Sequence, residues 1–562
     1  MAMHNESEST GTDNKMPEHK KWFICFVVIW CVQMLTAVYF CVQKQGFHED
    51  EFYSYYSTSR TYGLAIEDGA WMEHDDYYNE FVVLEGEEFQ YGLVKLVQSW
   101  DVHPPVYYWV LHTVCSLFPG QFSKWFGLII NLAAFGVSMF LLRILALKVT
   151  KKDEKVTWLV CLFYGFTPAV MSGVVFIRMY ALLTVFVYLC AILHVKALER
   201  YAMKDAAQVK LSFRKFLLPL MIVTYLGFLT QYYYFIFLFF MAAAFCLYML
   251  WKDRSLKNCL RYACSLAAAF LLAYLTYPAC LGQMFRGQRG AQATNSFFDL
   301  SNTWMRLTFF WDLLDEYVFG KMLPVLLLVV LCLFLYLFRK KNGHVRGNIV
   351  SGEKNAAYPL LLVTVLGYFL AVAKTALLLG NTSVRYQMPI YGMAVLLVFT
   401  AVADMGKACF AISVLSMKIS IKKAQKWLVA VLAFLCLAVN AGGLLSGRVV
   451  FLYPEAQKQC VFAKEMAEKD VPVVCIYDAG QSWCVWDCAD EFFAYDKIYF
   501  ASMNDAEPIE DEVLAKSEKI VVYLSNTAEP EEQLRRVQSR NPGLAESELQ
   551  YRGKYYDVYL LR

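Results

Sequence analysis

The chain has 562 residues, of which 58% are hydrophobic and 18% are charged, and its formal net charge is +3. A soluble domain typically has about 45–50% apolar and about 25% charged residues, so the composition excludes a soluble enzyme, a disordered scaffold and a fibrous protein. The weak net charge and the lack of a basic face argue against a nucleic-acid-binding protein. The composition is instead typical of a polytopic membrane protein.

Eleven apolar segments follow one another along the chain, and each has about the 20 residues that a membrane-spanning helix needs. The polar residues 1–21 are expected to form a disordered cytoplasmic N-terminus. Because no small-residue cleavage site follows the first segment, we interpret that segment as an uncleaved anchor. The predicted spans are residues 22–42, 122–147, 156–176, 178–197, 215–231, 233–251, 258–280, 320–338, 357–379, 386–404 and 427–446.

A further apolar run at residues 104–118 is too short to span a membrane comfortably, and it begins with two prolines. If this run does not cross, five basic stretches fall on one side, which the positive-inside rule makes cytoplasmic. We therefore predict an interfacial or re-entrant helix at 104–118, an inside N-terminus, and outer loops at 43–121 and 281–319. The basic stretches are residues 148–156, 196–215, 251–258, 338–347 and 417–426.

The tail, residues 447–562, has a different pattern, in which short β-branched and aromatic runs alternate with polar helical stretches. This alternation predicts a soluble α/β domain on the extracytoplasmic side. The predicted fold class is a polytopic α-helical membrane protein of the cell membrane, with about 11 transmembrane helices within residues 22–446 and this C-terminal domain. Strands are predicted at 471–478, 497–501, 519–525 and 556–562, and helices at 454–469 and 529–539.

The first outer loop carries an acidic cluster close to the membrane, in the sequence HEDEFYSYY at residues 48–56. Tyrosine rings suit the membrane interface, and a carboxylate packed among them is costly, which favours a functional role for Asp50. Since neighbouring residues in an extended loop point in opposite directions, only one of Asp50 and Glu51 is expected to face a cleft.

The same loop ends in the sequence SWDVHPPVYYW, residues 99–109, in which Asp101 and His103 precede the short apolar run. Acids at the two ends of one loop could meet over a common cleft, the layout needed for acid/base chemistry on a hydroxyl group. Alternatively, Asp101 caps the helix that the prolines begin. His103 and His74 are candidate metal ligands, although a single histidine is more often satisfied within the protein.

Basic residues are predicted at the same outer surface. Arg178 and Arg385 lie at the outer mouths of spans, where the planar fork of a guanidinium group suits a phosphate. Snorkelling to lipid phosphates is the alternative for both arginines. Lys374 is a third candidate cation. Tyr232 and Tyr233 lie in an aromatic turn, which an interfacial belt would equally explain.

Carboxylates and aromatic rings suit sugars, arginines suit phosphates, and the sequence places both groups on one face of the membrane. That combination suggests a lipid-linked sugar as the substrate. The chain resembles the GT-C superfamily of membrane glycosyltransferases over residues 22–404, above all the bacterial branch related to protein O-mannosyltransferases and the lipid A aminoarabinose transferase. Four elements carry the resemblance: Asp50-Glu51, the stretch from Asp101 to Tyr108, the stretch from Arg178 to Leu183, and Arg385 with Tyr386 and Pro389.

The resemblance implies an inverting glycosyltransferase that moves a sugar from a polyprenyl-phosphate donor to an extracytoplasmic acceptor glycan, lipid or protein. In that scheme Asp50 is the general base, Arg178 and Arg385 hold the donor phosphate, and Asp101 and His103 shape the sugar or acceptor site. A divalent metal ion is the one cofactor left open, and its ligands are unknown. The expected catalytic residues are Asp50, Glu51 and Asp101, and the expected substrate-binding residues are His103, Tyr107, Arg178, Tyr180, Tyr232, Tyr233, Lys374, Arg385 and Tyr386.

Two other classes of membrane protein are alternatives. A transporter or lipid flippase would also hold ionisable residues in a cavity, but nearer the midplane and on broken helices of two matched halves. A non-catalytic lipid-binding receptor would use the tail as its head. A catalyst, in contrast, is expected to bring Asp50 within several ångströms of both Arg178 and Arg385.

Overall fold

The computed structural model describes residues 17–59, 65–202, 211–254, 256–339, 356–414 and 421–562. The predicted N-terminal tail up to residue 16 lies outside these ranges, as do residues 203–210, 255, 340–347 and 417–420 of the predicted basic stretches.

The membrane half of the described chain is almost entirely helical. Its helices are α1 (Glu18–Gln43), α2 (Glu49–Ser59), α3 (His74–Tyr78), α4 (Tyr91–Trp100), α5 (Val106–Ser116), α6 (Lys124–Val149), α7 (Glu154–Tyr164), α8 (Pro168–Val175), α9 (Tyr180–Ala202), α10 (Leu218–Thr230), α11 (Tyr233–Asp253), α12 (Leu256–Thr276), α13 (Ala279–Phe285), α14 (Gln288–Phe298), α15 (Thr303–Tyr317), α16 (Leu323–Arg339), α17 (Ala357–Thr375), α18 (Met388–Val414) and α19 (Ile421–Leu445). A π-turn (Phe213–Leu217) precedes α10, and 3₁₀ turns lie at Asn79–Phe81 and Gly380–Gln387.

Each of the eleven predicted spans has a counterpart among the described helices. In the described part of the chain, nine helices are long and apolar enough to cross a membrane, and the third predicted span is a bent pair, α7 and α8, with an angle of 57° between them. The eighth predicted span is α16, an apolar helix of 17 residues. The first helix begins at Glu18 rather than at residue 22, so residues 18–21, which were expected to be disordered, are helical.

The bend in the third span follows from its sequence. Pro168 has no backbone N–H, so it interrupts one helix, yet it suits the first position of the next. The Thr167 side chain caps the new helix by accepting a hydrogen bond from the amide of Val170. The short α8 then ends at Val175, and the non-helical link at 176–179 reaches the acids of the first outer loop.

The run at 104–118 contains α5, a helix of 11 residues, whose length agrees with the predicted non-spanning helix. Tyr107, Tyr108 and Leu111 on this helix are fully buried. The helix packs against α2, so both ends of the first outer loop meet in one place.

The two ends of the helical bundle can be told apart from the contacts of the lysines at the two ends of α6. At one end, the Lys124 ammonium group donates to the carbonyl of Lys44. At the other end of the same helix, Lys148 Nζ lies 2.7 Å from Glu199 Oε2. The predicted basic stretch 148–156 therefore lies at the end of the bundle opposite Lys44.

The tail forms the predicted α/β domain. The elements of this domain are β1 (Ala70–Glu73), α20 (Ala456–Glu468), β2 (Val473–Tyr477), a 3₁₀ segment (Ala479–Cys488), α21 (Ala489–Phe492), β3 (Lys497–Ser502), α22 (Glu512–Lys516), β4 (Ile520–Ser525), α23 (Pro530–Gln538), β5 (Ser547–Arg552) and β6 (Tyr556–Leu561). The strands form a six-stranded sheet in the order β1-β3-β2-β4-β6-β5. The central strands β3, β2 and β4 are parallel, and the flanking strands are antiparallel.

Two strands of this sheet differ from the prediction. The edge strand β1 comes from the first outer loop, with Ala70 opposite Phe500, so the sheet is not formed by residues 447–562 alone. The other edge strand, β5, has the polar sequence SELQYR and is mostly exposed, so no hydrophobic alternation marked it. The first outer loop and the tail are thus parts of one folded unit.

Candidate active site

The acidic cluster of the first outer loop is helical, and this corrects the expected extended conformation. Asp50 and Glu51 lie in the first turn of α2. Successive residues of a helix point about 100° apart, so the two carboxylates reach different surroundings. The Asp50 side chain is 30% exposed, whereas that of Glu51 is fully buried.

Glu51 is enclosed by donors. Its Oε2 lies 2.9 Å from Lys44 Nζ and accepts from the His48 amide at 2.7 Å, and its Oε1 accepts from the Ile177 amide at 2.7 Å. Burial raises the pKa of the Glu51 carboxyl, and Lys44 partly offsets that effect. Both carboxylate oxygens are therefore engaged in joining α2 to the link between α8 and α9.

Asp50 joins the two predicted phosphate-binding arginines. Its Oδ2 lies 3.0 Å from Arg385 Nη1, and its backbone carbonyl accepts from Arg178 Nη1 at 2.9 Å. Burial acts to raise the pKa of the Asp50 carboxyl, but Arg385 and then Arg178 hold it well below its usual range. The expectation that one residue contacts both arginines is met.

Arg178 is buried and is held by side chains from both ends of the first outer loop. Its Nη1 donates to Ser54 Oγ at 3.2 Å and to Tyr108 Oη at 3.1 Å. Its Nη2 lies 3.1 Å from His103 Nε2. The Nε of Arg178 has no hydrogen-bond partner among the described residues, so one buried donor of the guanidinium is unused.

Arg385 lies between aromatic rings. Its guanidinium carbon is 5.1 Å from the ring centre of Phe176 and 5.1 Å from that of Tyr386, which is a cation–π arrangement. Its Nη2 donates to Tyr386 Oη at 3.2 Å. In the described part of the chain its Nε also lacks a hydrogen-bond partner.

Asp101 and His103 form a pair beside Arg178. His103 Nδ1 lies 3.0 Å from Asp101 Oδ2. Because Arg178 is always a donor, His103 Nε2 must be the acceptor, and the proton therefore sits on Nδ1, which donates to Asp101. Burial and then Arg178 lower the pKa of His103, which favours the neutral ring. His103 and Arg178 lower the pKa of Asp101, although burial alone would raise it.

The predicted aromatic residues are divided by the structure into two groups. The rings of Tyr180 and Tyr233 pack edge-on against Tyr386, at 6.0 and 5.8 Å, and so extend the wall beside Arg385. Tyr107, in contrast, is fully buried, and its hydroxyl has no partner among the described residues. Tyr232 donates instead to Gln283 Oε1, at 2.5 Å.

Lys374 lies in a separate network. Its ammonium group donates to the Asp299 carbonyl at 2.6 Å, to Asn302 Oδ1 at 2.5 Å and to Thr303 Oγ1 at 2.9 Å. These three contacts match the three protons of the group, so Lys374 holds the turn before α15 rather than the Asp50 cluster.

Sequence reasoning missed several residues of this site. Tyr108 is adjacent to Tyr107, which was the predicted substrate-binding residue. Only the direction of each side chain around α5 shows that Tyr108 is the one that contacts Arg178. Lys44 was visible only as a residue beyond the first span. A single sequence does not mark Ser54 or Gln283 as site residues, because Ser and Gln are common and no spacing distinguishes these two.

The two carboxylates nearest to Arg178 and Arg385 already have partners. Among the described residues, no group of three or more His, Cys, Asp or Glu side chains could hold a metal ion. Asp50 is paired with Arg385, and Asp101 is paired with His103.

The comparisons with known proteins concern the fold. No protein-family model and no curated protein matches the chain. One solved structure shares the fold of this chain over nearly its whole length, so the fold that the resemblance implied is confirmed. That solved structure is ArnT from Cupriavidus metallidurans bound to undecaprenyl phosphate, which is 10% identical, with a TM-score of 0.50 over 96% of this chain and 98% of that chain. AglB from Archaeoglobus fulgidus, an oligosaccharyltransferase, is 11% identical, with a TM-score of 0.48 over 97% of this chain and 74% of that chain.

Proposed function

We propose that the protein is an inverting glycosyltransferase that moves a sugar from a polyprenyl-phosphate donor to an extracytoplasmic acceptor. One observation carries the proposal: the buried Arg178 and Arg385 both contact Asp50, and the Nε–H of each has no hydrogen-bond partner among the described residues. A carboxylate and two guanidinium forks in a partly buried, aromatic-lined site suit the transfer of a group from a phosphate to a hydroxyl.

The donor phosphate would bind the two arginines. Guanidinium groups bind phosphate oxygens through paired N–H donors, and both arginines are already held in place by Tyr108, Ser54 and Tyr386. Phosphate and Asp50 then compete for Arg385. As the phosphate takes over that fork, the carboxylate of Asp50 loses its ion pair and becomes a stronger base.

The reaction follows from this arrangement. Asp50 accepts the proton of the acceptor hydroxyl, the hydroxyl oxygen forms a bond to the anomeric carbon, and the bond from that carbon to the phosphate oxygen breaks. The leaving phosphate keeps the bonding electrons, and Arg178 and Arg385 stabilise its charge. The transition state resembles an oxocarbenium ion, and one displacement inverts the anomeric centre.

Two lines of support come from outside the site. The chain shares its fold with ArnT over nearly the whole length of both proteins, and that structure holds undecaprenyl phosphate. The site lies at the end of the bundle opposite the basic stretch 148–156, which the positive-inside rule makes cytoplasmic. We therefore propose a multi-pass protein of the cell membrane with its site on the extracytoplasmic side, facing membrane lipids and a glycan, lipid or protein acceptor.

The first experiment identifies the substrates and then measures transfer. Analysis of lipid-linked glycans in a deletion strain should show an accumulated donor and an acceptor that lacks one sugar. The purified full chain in lipid nanodiscs should then convert that donor to the free polyprenyl phosphate only when the acceptor is present. A transporter or flippase would instead move the donor across vesicles without consuming it, and that outcome would contradict the proposal.

A further inference from the structure

The stretch that carries Asp101 and His103 has no regular secondary structure of its own. It leaves α4 at Asp101 and reaches α5 only at Val106. Its two functional side chains nevertheless have one defined orientation, since His103 bridges Asp101 Oδ2 and Arg178 Nη2. Something other than local structure must therefore hold this backbone.

The backbone is held from the second outer loop. Gln283 Nε2 donates to the carbonyl of Gln98 at 2.8 Å and to the carbonyl of Asp101 at 2.6 Å. Tyr277 Oη, itself 2.8 Å from Gln283 Nε2, contacts the carbonyl of His103 at 3.4 Å. Tyr232 Oη lies 2.5 Å from Gln283 Oε1 and so fixes which way the amide points.

The Gln283 amide suits this position because it can donate to backbone carbonyls and accept a hydrogen bond at the same time. Its side chain is buried at 8% exposure on α13, and both of its polar atoms have partners. An amide presents two N–H donors to carbonyls on one side and one acceptor on the other. A carboxylate in its place would set an acceptor against two carbonyl oxygens, and a thioether would leave them unpaired.

We propose that Gln283 is a positioning residue that fixes the Asp101–His103 pair, and through His103 the orientation of Arg178 toward the donor phosphate. This proposal rests on the proposed function only for the identity of the ligand that Arg178 binds. Among the described residues, Gln283 makes no hydrogen bond to either arginine, and its effect passes through the backbone carbonyl of Asp101 to the imidazole. The second outer loop thereby becomes part of the phosphate-binding machinery.

The test uses Gln283→Met and Gln283→Glu in the full chain in nanodiscs, with Gln533→Met as the matched control. Gln533 is also a buried amide, and it donates to a backbone carbonyl within the C-terminal domain. The probe is undecaprenyl phosphate. Its dissociation constant should rise about three- to tenfold in Gln283→Met and more in Gln283→Glu, as loss of neutral hydrogen bonds implies, and should not change in Gln533→Met.

A double-mutant cycle separates positioning from general loss of structure. His103→Ala should weaken lipid binding, and adding Gln283→Met to it should weaken binding no further, because the route through the imidazole is already cut. Additive effects of the two substitutions on binding would overturn the proposal, as would an unchanged dissociation constant in Gln283→Met.

A second readout does not depend on the proposed function. With ¹³C-labelled histidine, the His103 signal, assigned by its loss in His103→Ala, should titrate at a higher pH in Gln283→Met than in the wild type. In the wild type, burial and Arg178 lower the pKa of the His103 ring. In Gln283→Met the ring would be freer to leave that buried place, so its pKa would rise. If the wild type does not bind undecaprenyl phosphate but this titration shifts, the proposed ligand is wrong and the positioning role stands; an unshifted titration overturns the positioning role.

Discussion

Asp50 Oδ2 and Arg385 Nη1 are 3.0 Å apart, and this ion pair joins the first outer loop to the turn before α18. The two residues are more than three hundred positions apart in the sequence, so the pair is a product of the fold. It keeps the carboxylate ionised but occupied. A ligand phosphate that displaces Asp50 from the guanidinium would bind and activate the base in the same event.

We expect Asp50→Asn to abolish transfer while the protein still folds. Asparagine keeps the size of the side chain but cannot accept a proton at neutral pH, and loss of general-base help typically costs about 10²–10⁴-fold in rate. Transfer from the donor by purified protein measures this, with thermal unfolding as the check on folding. Near-full activity of Asp50→Asn would remove this residue from the mechanism.

Glu51→Gln is the matched neighbour and should behave differently. Its transfer rate per folded molecule should be at least about ten times that of Asp50→Asn, because Glu51 lies outside the contact with Arg385. It should instead lower stability by about 3 kcal/mol, since the buried Lys44 loses its counter-charge. Adding Lys44→Met should recover part of the melting temperature; no recovery would contradict the structural role of this pair.

Lysine should replace neither arginine well. Arg178 uses two nitrogens of its fork for four residues, and Arg385 is stacked between two rings, which an ammonium group cannot reproduce. Each charge-assisted hydrogen bond to the phosphate contributes about 1.5–3 kcal/mol, so KM for the donor should rise at least tenfold in Arg178→Lys and Arg385→Lys. KM for the acceptor should change far less. Unchanged donor kinetics in both variants would take the arginines out of the site.

The neighbouring tyrosines Tyr107 and Tyr108 provide a sharper comparison. Tyr108→Phe removes one of the three acceptors of Arg178 Nη1 and should weaken donor binding about two- to tenfold. Tyr107→Phe removes a buried hydroxyl that has no partner in the described structure, so it should leave binding unchanged and raise the melting temperature slightly. The reverse ranking of the two variants would mean that Tyr107 is the residue facing the ligand.

The sequence predicted the spans well because a membrane helix needs a long apolar run, and composition alone reveals that run. It also singled out Asp50, Arg178 and Arg385, which the structure brings into contact, because ionisable residues at the ends of spans are rare and costly. The sequence did not predict whether the acidic segment is helical or extended, and this conformation sets the direction in which each side chain points. A helix at Glu49–Ser59 rather than an extended loop decides that Glu51 is enclosed while Asp50 faces the arginines.

Contacts between distant segments were also beyond prediction from one sequence. The strand β1 is four residues long and lies in a loop, and its pairing with Phe500 depends on the position of the whole tail. Lys374 resembled a ligand cation from its place in a span, yet its partners lie in the turn at 299–303. Hydropathy and spacing carry no information on such partners.

The sidedness of the membrane is tested by single cysteines. Lys257→Cys lies in the first turn of α12, within a predicted cytoplasmic stretch, and Glu468→Cys lies in the tail; both positions are exposed. In intact cells a membrane-impermeant maleimide should add label at 468 but not at 257, relative to the wild type with its seventeen native cysteines. After permeabilisation both should react. Labelling of both in intact cells would contradict the predicted topology.

The tail meets the first outer loop at a group of acidic residues. A cavity of about 180 Å³ lies there, lined by Glu49, Asp487, Asp490 and Glu491 among others. Burial raises the pKa of Glu491 to about 7, although Tyr551 donates to its carboxylate at 2.6 Å. Burial likewise raises the pKa of Asp490 to about 7 and that of Asp487 to about 6.

The sign of the effect on stability follows from linkage. A carboxyl group whose pKa is raised in the folded state, from an ordinary value near 4.5 to about 7 for Glu491, binds more protons folded than unfolded in that interval. The contribution of Glu491 to the free energy of unfolding therefore falls as pH rises from about 4.5 to about 7, and it is level above that range. We expect Glu491→Gln, which carries no charge to bury, to raise the free energy of unfolding at pH 8 by about 1–3 kcal/mol relative to the wild type and to leave it nearly unchanged at pH 4.5. Asp505→Asn, at a 53%-exposed position, is the control and should show no such pH-dependent difference. Thermal unfolding of the full-length variants at the two pH values measures the difference, and an equal effect of Glu491→Gln at both would show that its carboxyl group titrates normally in the folded protein.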